Sequence, residues 1–335
     1  MDGILKLAEI INILEINFPL ELQEKWDNSG LIIGDKNDEI NKVQISLDIT
    51  ERVINNAISK GCNLIISHHP TIFGGIKKIN DSDVLGKKIL KLMRNKINVY
   101  SLHTNLDSAK DGLNLYLAKK LGGENIKVIS ENIENLCKID FTISIDEKEK
   151  LEEVLFKNSF NFITKNIDEK KFSIEIIELK RDLYKCLNIV KNSIKEIEYS
   201  IYSLENKEKL GTGLGRIYNL PKEVVLDEYV DFVKEKLDIN HVKLVRANEK
   251  NIKKVALVNG SGAEFWEKAE RLGADLFITG DVKYHTALDS FEKGMNILDI
   301  GHYEAEHFFN EIISEKLKTK CEIIVFNEKN VFEMR

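Results

Sequence analysis

Short apolar segments that alternate with helical patterns point this chain toward a layered α/β fold. The clearest is residues 63–67, an apolar run bounded by Gly61 and Pro70, which is typical of a strand buried on both faces. A helical pattern precedes it over residues 51–60, and Thr50 is placed to cap that helix. Strands joined by helices predict a mostly parallel sheet with helices on both faces. Further strands of this kind are predicted at residues 43–47, 97–102, 254–258, 276–279, 296–299 and 322–326.

The middle of the chain has a different texture. Gly122-Gly123 marks a break, and over residues 137–204 the sequence is more highly charged and of lower complexity. Its order of strand, helix, strand, helix and strand fits a small ferredoxin-like α+β module. We therefore predict a discontinuous core domain, residues 1–125 and 211–335, that is interrupted by an inserted domain of residues 126–210.

The glycine-rich segment 211–216 (Gly-Thr-Gly-Leu-Gly-Arg) looks like a phosphate-binding loop. It lacks a clear strand–helix context and the Lys-Ser/Thr ending of such loops, so a turn or linker is the favoured interpretation.

Composition excludes several classes of protein. The chain has 335 residues, of which 43% are hydrophobic and 31% charged, as expected for a globular protein with a large core. The net charge of −6 supplies no basic field, so neither nucleic acid nor an anionic membrane is an expected partner. No apolar run approaches the roughly 20 residues that span a bilayer, and the N-terminus does not resemble a signal peptide. The four cysteines are scattered without a C-x-x-C pair, which predicts a cytoplasmic protein without disulfides.

Six of the seven histidines belong to motifs near the ends of predicted strands, where ligands collect in open α/β sheets. His302 and Glu306 are spaced i, i+4 at the start of a helix, so both lie on one face and can grip one divalent cation. His103 and Asp107 have the same spacing, although Asp107 could instead cap the helix that follows. One histidine after a strand is more often structural. Four such loops, with His68-His69, His103, His285 and His302, favour a site for two cations.

The pair His68-His69 is a special case. Consecutive side chains on a strand point to opposite faces, but Pro70 ends this strand, so both rings can face one cavity. The alternative is a solvent-exposed turn. Asp27 and Asp281 are candidates for orienting imidazoles from behind.

Two histidines are left out of the predicted site. His307 follows Glu306 directly and points about 100° away around the helix. His241 is interpreted as a surface residue.

These motifs resemble a known family, the GTP cyclohydrolase 1 type 2 homologues, also called NGG1-interacting-factor-three-like proteins. The resemblance implies two divalent cations per chain, a toroidal homohexamer, and a PII-like or CutA-like insertion at residues 126–210. It also implies the metal ligands His68, His69, Asp107, His302 and Glu306. The matching segments are residues 26–31 (Trp-Asp-Asn-Ser-Gly-Leu), 67–70 (Ser-His-His-Pro), 103–107 (His-Thr-Asn-Leu-Asp), 280–285 (Gly-Asp-Val-Lys-Tyr-His) and 301–306 (Gly-His-Tyr-Glu-Ala-Glu).

The leading functional hypothesis is a metal-dependent hydrolase of a small, nucleotide-like substrate. The resemblance implies GTP ring opening, in which a cation-activated water attacks C8 of the purine. His285 or His103 would transfer protons. One alternative is a non-enzymatic metal-handling or regulatory adaptor, and another is a metal-dependent phosphoesterase. Mixed histidine and carboxylate ligands admit zinc, iron, manganese or cobalt.

Overall fold

The structure is a computed structural model that describes residues 5–194 and 197–333. The strands are β1 (Leu5–Lys6), β2 (Gly30–Ile33), β3 (Glu39–Ile40), β4 (Lys42–Ser46), β5 (Leu64–Ser67), β6 (Asn98–Ser101), β7 (Glu124–Ser144), β8 (Phe162–Asn166), β9 (Lys171–Leu179), β10 (Glu198–Val224), β11 (Lys243–Val245), β12 (Ile252–Leu257), β13 (Leu276–Thr279), β14 (Asn296–Asp299) and β15 (Glu322–Val325). The α-helices are α1 (Leu7–Asn17), α2 (Glu51–Lys60), α3 (Val84–Arg94), α4 (Thr104–Ser108), α5 (Leu113–Lys120), α6 (Lys148–Lys157), α7 (Lys180–Ser193), α8 (Leu226–Leu237), α9 (Trp266–Arg271), α10 (Tyr284–Glu292), α11 (His302–Glu306) and α12 (Phe309–Leu317).

The chain forms two compact units. Unit 1 contains Met1–Ser130 and Thr212–Arg335, and unit 2 contains Glu131–Gly211. Each unit buries apolar clusters made only of its own residues. The long strands β7 and β10 carry the chain out of unit 1 and back into it. The assignment of residues 126–210 as an inserted domain stays a prediction.

Unit 1 contains two large mixed sheets, and the mixed α/β architecture expected from the sequence is confirmed. In the first sheet, with the order β15-β4-β5-β6-β2, all neighbours are parallel except β2, which is antiparallel to β6. In the second, β12, β13 and β14 are parallel, while β11 and β10 flank them in antiparallel orientation. The expected parallel strands therefore form the centres of two sheets, and antiparallel strands lie beside them.

The helix that leads into β5 shows how local sequence sets these elements. The Thr50 hydroxyl accepts a hydrogen bond from the Val53 amide at 3.2 Å, so the predicted cap of α2 is confirmed. Val53, Ile54 and Ala57 form its buried face, and Gly61 ends it. All four residues of β5 are buried, as the apolar run predicts.

Unit 2 has the order β7, α6, β8, β9, α7 and β10, and its strands are arranged β10-β7-β9-β8. Strand β9 is antiparallel to both β7 and β8. The sequence reading missed β8, because every residue of this strand is exposed or only half-buried and its apolar alternation is weak.

The turn expected at residues 211–216 is wrong, because this segment lies inside β10. The linker alternative agrees with the boundary between the two units, which falls between Gly211 and Thr212. Gly215 has a φ of +70°, and a Cβ there would lie 2.7 Å from Val258 Cγ2. The buried guanidinium of Arg216 donates to the carbonyl oxygens of Gly215 and Ala109, at 2.9 and 2.7 Å. Glycine here permits close strand packing and does not end the strand.

Two short helices also differ from the sequence expectation. The pattern predicts one helix over residues 303–317, but the structure has α11 and then α12. Helix α4 was not expected, because its five residues are too few to show a period. Among the described residues, none of the helices has the length and apolar content needed to cross a bilayer. All four cysteines are free thiols, as predicted.

The separate cores predict that unit 1 folds without unit 2. Glu131 and Lys209, near the two ends of unit 2, form an ion pair of 3.1 Å, so a short turn can join Ser130 to Thr212. We expect a chain in which residues 131–211 are replaced by Asn-Gly to unfold in one cooperative thermal transition and to keep its near-ultraviolet circular dichroism. Loss of the cooperative transition would show that the core of unit 1 depends on unit 2.

Candidate metal centre

Six side chains from three loop regions of unit 1 meet in one cluster. They follow the carboxyl ends of parallel strands, as ligands in open α/β sheets do. His68 and His69 follow β5, His103 and Asp107 follow β6, and His302 and Glu306 lie in α11 after β14. Three sets of ligand atoms each lie within 4.8 Å of one another, and they are His68/His69/His103, His69/His302/Glu306 and His68/Asp107/Glu306. The structure thus brings together all five expected ligands and adds His103.

The backbone after β5 explains how two consecutive histidines face one cavity. The amides of His68 and His69 both donate to the carbonyl oxygen of Leu47, at 3.1 and 3.0 Å, so the alternation of the strand ends there. The Ser67 hydroxyl donates to the carbonyl of His69 at 2.9 Å and fixes this turn. The two rings lie 5.0 Å apart, and His68 is fully buried.

Each of the four imidazoles is held from behind through Nδ1. The acceptors are a backbone carbonyl for His68 and carboxylates for the others, and acceptors of this kind make Nδ1 the protonated nitrogen of a neutral ring. Nε2 then carries the lone pair and faces the cluster. The pairs are His68 with Leu102 O (2.8 Å), His69 with Asp48 (2.9 Å), His103 with Asp27 (2.7 Å) and His302 with Asp281 (2.7 Å).

The predicted orienting roles of Asp27 and Asp281 are confirmed by these hydrogen bonds. Asp27 also accepts from the amide and hydroxyl of Thr104, at 3.1 and 2.5 Å. Burial raises the pKa of Asp27, but the hydrogen bonds from His103 and Thr104 outweigh it and hold the pKa below its usual value. Asp281 adopts a left-handed φ of 55°, a conformation that costs energy in most residues.

Glu306 lies at the centre of the cluster. Its Oε2 is 2.9 Å from His302 Nε2 and 3.0 Å from His69 Nε2, and its Oε1 is 3.5 Å from His68 Nε2. Each carboxylate oxygen therefore faces a different set of ligands. A side chain at Gly260 would not fit, because its Cβ would lie 2.1 Å from Glu306 Oε1.

Asn259 connects the two carboxylates. Its Nδ2 donates to Asp107 Oδ1 at 2.8 Å and to Glu306 Oε1 at 3.3 Å. Asn114 in turn donates to Asn259 Oδ1 at 2.5 Å, so the amide orientation is fixed.

The nearby carboxylates make the electrostatic potential at the imidazoles strongly negative. Burial lowers the pKa of His69, but the hydrogen bond with Asp48 and the nearby carboxylate of Glu306 outweigh it and raise the pKa to about 10. The pKa of His302 rises to about 9, because Glu306 and Asp281 outweigh the effect of burial. A field that retains protons also attracts a divalent cation, which can replace them.

The two carboxylates differ. Burial raises the pKa of Glu306, but the charge of His68 and the close imidazole nitrogens of His302 and His69 hold the pKa well below its ordinary value. Burial dominates at Asp107 and raises its pKa.

The residues present fit a divalent metal. Within residues 5–194 and 197–333, His68 Nε2 and Glu306 Oε2 are buried polar atoms without a hydrogen-bond partner of good geometry. The Nε2 atoms of His69 and His302 lie 3.3 Å from each other, and both lie within 3.0 Å of Glu306 Oε2. Imidazole nitrogen and carboxylate oxygen are the ligands that zinc and other first-row cations accept.

The remaining histidines lie outside these sets. His285 is exposed, and its ring contacts Tyr284, so its assignment as a proton carrier stays a prediction. His307 stacks on Tyr303, and burial lowers its pKa. His241 is exposed, which confirms its interpretation as a surface residue.

Sequence reasoning missed Asp48 and Asn259. Both come directly after a predicted strand, as the histidines do, so their position was a usable signal. Their residue types are common in turns, which hid that signal.

Comparisons with known proteins find similar sequences and structures over nearly the whole chain. The family model described as Duf34/NIF3 (NGG1p interacting factor 3) matches residues 5–332. A Staphylococcus epidermidis protein named GTP cyclohydrolase 1 type 2 homolog is 36% identical, over 98% of this chain and 96% of its own. A Clostridium perfringens protein of the same name is 34% identical, over 98% and 99%. The solved structure of a Staphylococcus aureus protein aligns over 100% of both chains, with a TM-score of 0.85 and 29% identity.

Replacing Glu306 tests whether the cluster holds metal. Elemental analysis of the purified protein should find about two metal equivalents per chain, and Glu306→Gln should lose at least one of them, because the amide removes the charge that the imidazoles share. Glu304→Gln is the matched control, since Glu304 lies in the same helix and bonds Asn330 instead. Equal metal content in both variants would contradict the assignment.

Replacing Asp48 tests the anchoring of His69. Asp48→Ala should weaken metal affinity about 10- to 100-fold in a chelator competition assay, because the His69 ring loses its orientation. Asp231→Ala, at an exposed carboxylate paired with Lys234, should leave affinity unchanged. A wild-type affinity in Asp48→Ala would remove Asp48 from the site.

Proposed function

Because this chain belongs to the Duf34/NIF3 family, we propose that it is a hydrolase that uses two divalent cations on a small, nucleotide-like substrate. The observation that carries the proposal is the sharing of Glu306 between two of the three ligand sets. A carboxylate that presents one oxygen to each set is suited to bridge two cations.

We assign the metal ligands as His68, His69, Asp107, His302 and Glu306. This assignment is supported by the convergence of their ligand atoms and by the anchored tautomers of the histidines. Cations held here would supply a water of lowered pKa and would polarise the electrophilic group of the substrate. Zinc, iron, manganese and cobalt all suit these ligands.

In the proposed reaction, side chains of this chain transfer protons and hold the carboxylate ligands in position. His103 is anchored by Asp27 and presents Nε2 toward the ligand sets, so it can accept a proton from water and return it to a leaving group. His285 is a second candidate for proton transfer. It is exposed and outside the ligand sets, so it could act only on a substrate that extends to it. Asn259 fixes Asp107 and Glu306 without carrying charge.

The substrate proposal follows the printed name of the relatives, GTP cyclohydrolase 1 type 2 homolog. By that analogy the reaction is ring opening of GTP, in which water adds to C8 of the purine, a C8–N bond of the five-membered ring breaks, and the released nitrogen takes up a proton.

The architecture of the whole protein is also part of the proposal. We propose that residues 126–210 form an inserted ferredoxin-like domain, which the strand order β10-β7-β9-β8 and the separate core support. The family resemblance supports a homohexamer, and the free cysteines support a cytoplasmic location.

Turnover separates the hydrolase from its alternatives. Purified protein should open the purine ring of GTP. Both a chelator and Glu306→Gln should abolish this activity, because each removes metal from the cluster. The assay should include a phosphodiester and a small cyclic amide, with Glu304→Gln as the matched control. Metal retention without turnover of any substrate would instead identify a metal-handling adaptor. Turnover of the phosphodiester alone would identify a phosphoesterase.

A further inference from the structure

Two large aromatic side chains lie exposed beside the metal cluster. Trp26 is 63% exposed and Phe73 is 52% exposed, although tryptophan and phenylalanine are usually well covered. Both rings contact His103, with centroids 5.8 and 5.6 Å away in edge-to-face arrangements. His103 also contacts the rings of His68 and His69, at 5.1 and 5.4 Å. The mostly buried imidazole of His103 therefore contacts both the cluster and the two exposed rings.

Hydrogen bonds of the neighbouring residues fix the segments that carry the two aromatic side chains. Asp27, next to Trp26, is anchored on His103. Asn28 donates to the carbonyl oxygen of Ile72 at 2.6 Å, which ties the Trp26 segment to the loop that carries Phe73. Isolated exposed aromatics need no explanation, but two that are tied together beside one buried ring form a prepared surface.

We propose that Trp26 and Phe73 form a stacking platform for a planar heterocyclic ring of the substrate. Aromatic side chains bind nucleobases through their faces with little dependence on the identity of the base. A ring placed on this platform lies beside His103, and its reacting atom can then approach the ligand cluster. The inference rests on the proposed function for the identity of the reaction, but ring binding can be measured without turnover.

Tryptophan fluorescence provides a direct test, because the chain has only two tryptophans. Trp266 is buried in unit 1 at 6% exposure, so Trp266→Phe leaves Trp26 as the reporter. In this variant, guanosine, cytidine and GTP should quench the emission saturably, in both zinc-loaded and chelator-treated protein. Inorganic triphosphate, which has no ring, should not quench it. Quenching by triphosphate equal to that by GTP, or no saturable quenching by any ring compound, would overturn the proposal.

Substitutions then assign the binding to the two rings. Phe73→Leu in the Trp266→Phe protein should raise the Kd for guanosine at least about ten-fold, as should Trp26→Leu measured by equilibrium dialysis. Phe156→Leu is the matched control, because Phe156 is 81% exposed on α6 in unit 2. Unchanged guanosine affinity in Trp26→Leu, together with a changed mass by light scattering, would show that the aromatic pair joins copies of the chain.

The two proposals fail separately. Guanosine binding that depends on Trp26 and Phe73, without turnover of GTP, would refute the hydrolase and retain the platform. GTP turnover whose KM is unchanged in Trp26→Leu and Phe73→Leu would retain the hydrolase and refute the platform.

Discussion

The cluster depends on hydrogen bonds made behind the imidazoles, on the side away from the ligand atoms. A histidine ring can carry its proton on either nitrogen and can rotate, so its position in the chain alone does not define a ligand. Here all four Nδ1 atoms meet acceptors, which fixes both the tautomer and the direction of Nε2. Three of the acceptors are carboxylates, and these also make the imidazoles more basic. The ligand sets exist because these acceptors hold the rings in place.

The fold supplies the ligands and acceptors by one topological rule used twice. Strands β4, β5 and β6 run parallel in one sheet, and Asp48, the His68-His69 pair and His103 follow their carboxyl ends. Strands β12, β13 and β14 run parallel in the other sheet, and Asn259, Asp281 and His302 follow theirs. Each sheet contributes loops to the same cluster within unit 1. The antiparallel strands beside these parallel centres contribute none of the six side chains of the cluster.

The sequence predicted the side chains that meet in the cluster better than it predicted their surroundings. Imidazoles and carboxylates after apolar strands are conspicuous, because few residue types can hold metal and each lay at a position where ligands collect. Asp48 and Asn259 lay at equivalent positions, but aspartate and asparagine are also ordinary turn residues. The glycines of segment 211–216 led to an incorrect turn prediction for a physical reason. Glycine adopts positive φ both in turns and where a strand packs closely on its neighbour. At Gly215 the close contact with Val258 identifies the second case. Contacts of that kind are set by tertiary packing, which a local pattern does not contain.

The contrast between Glu306 and Asp107 explains why the carboxylate at the centre matters most. Both are almost fully buried, so both would lose their charge unless something nearby compensates it. Glu306 has imidazole nitrogens from three histidines within 3.5 Å, whereas Asp107 has Asn259 and a more distant His68 at 3.8 Å. The pKa values of the two groups consequently move in opposite directions. An anion that stays charged at the meeting point of two ligand sets is the group best placed to hold two cations together, and Asp107 completes one set because Asn259 orients it.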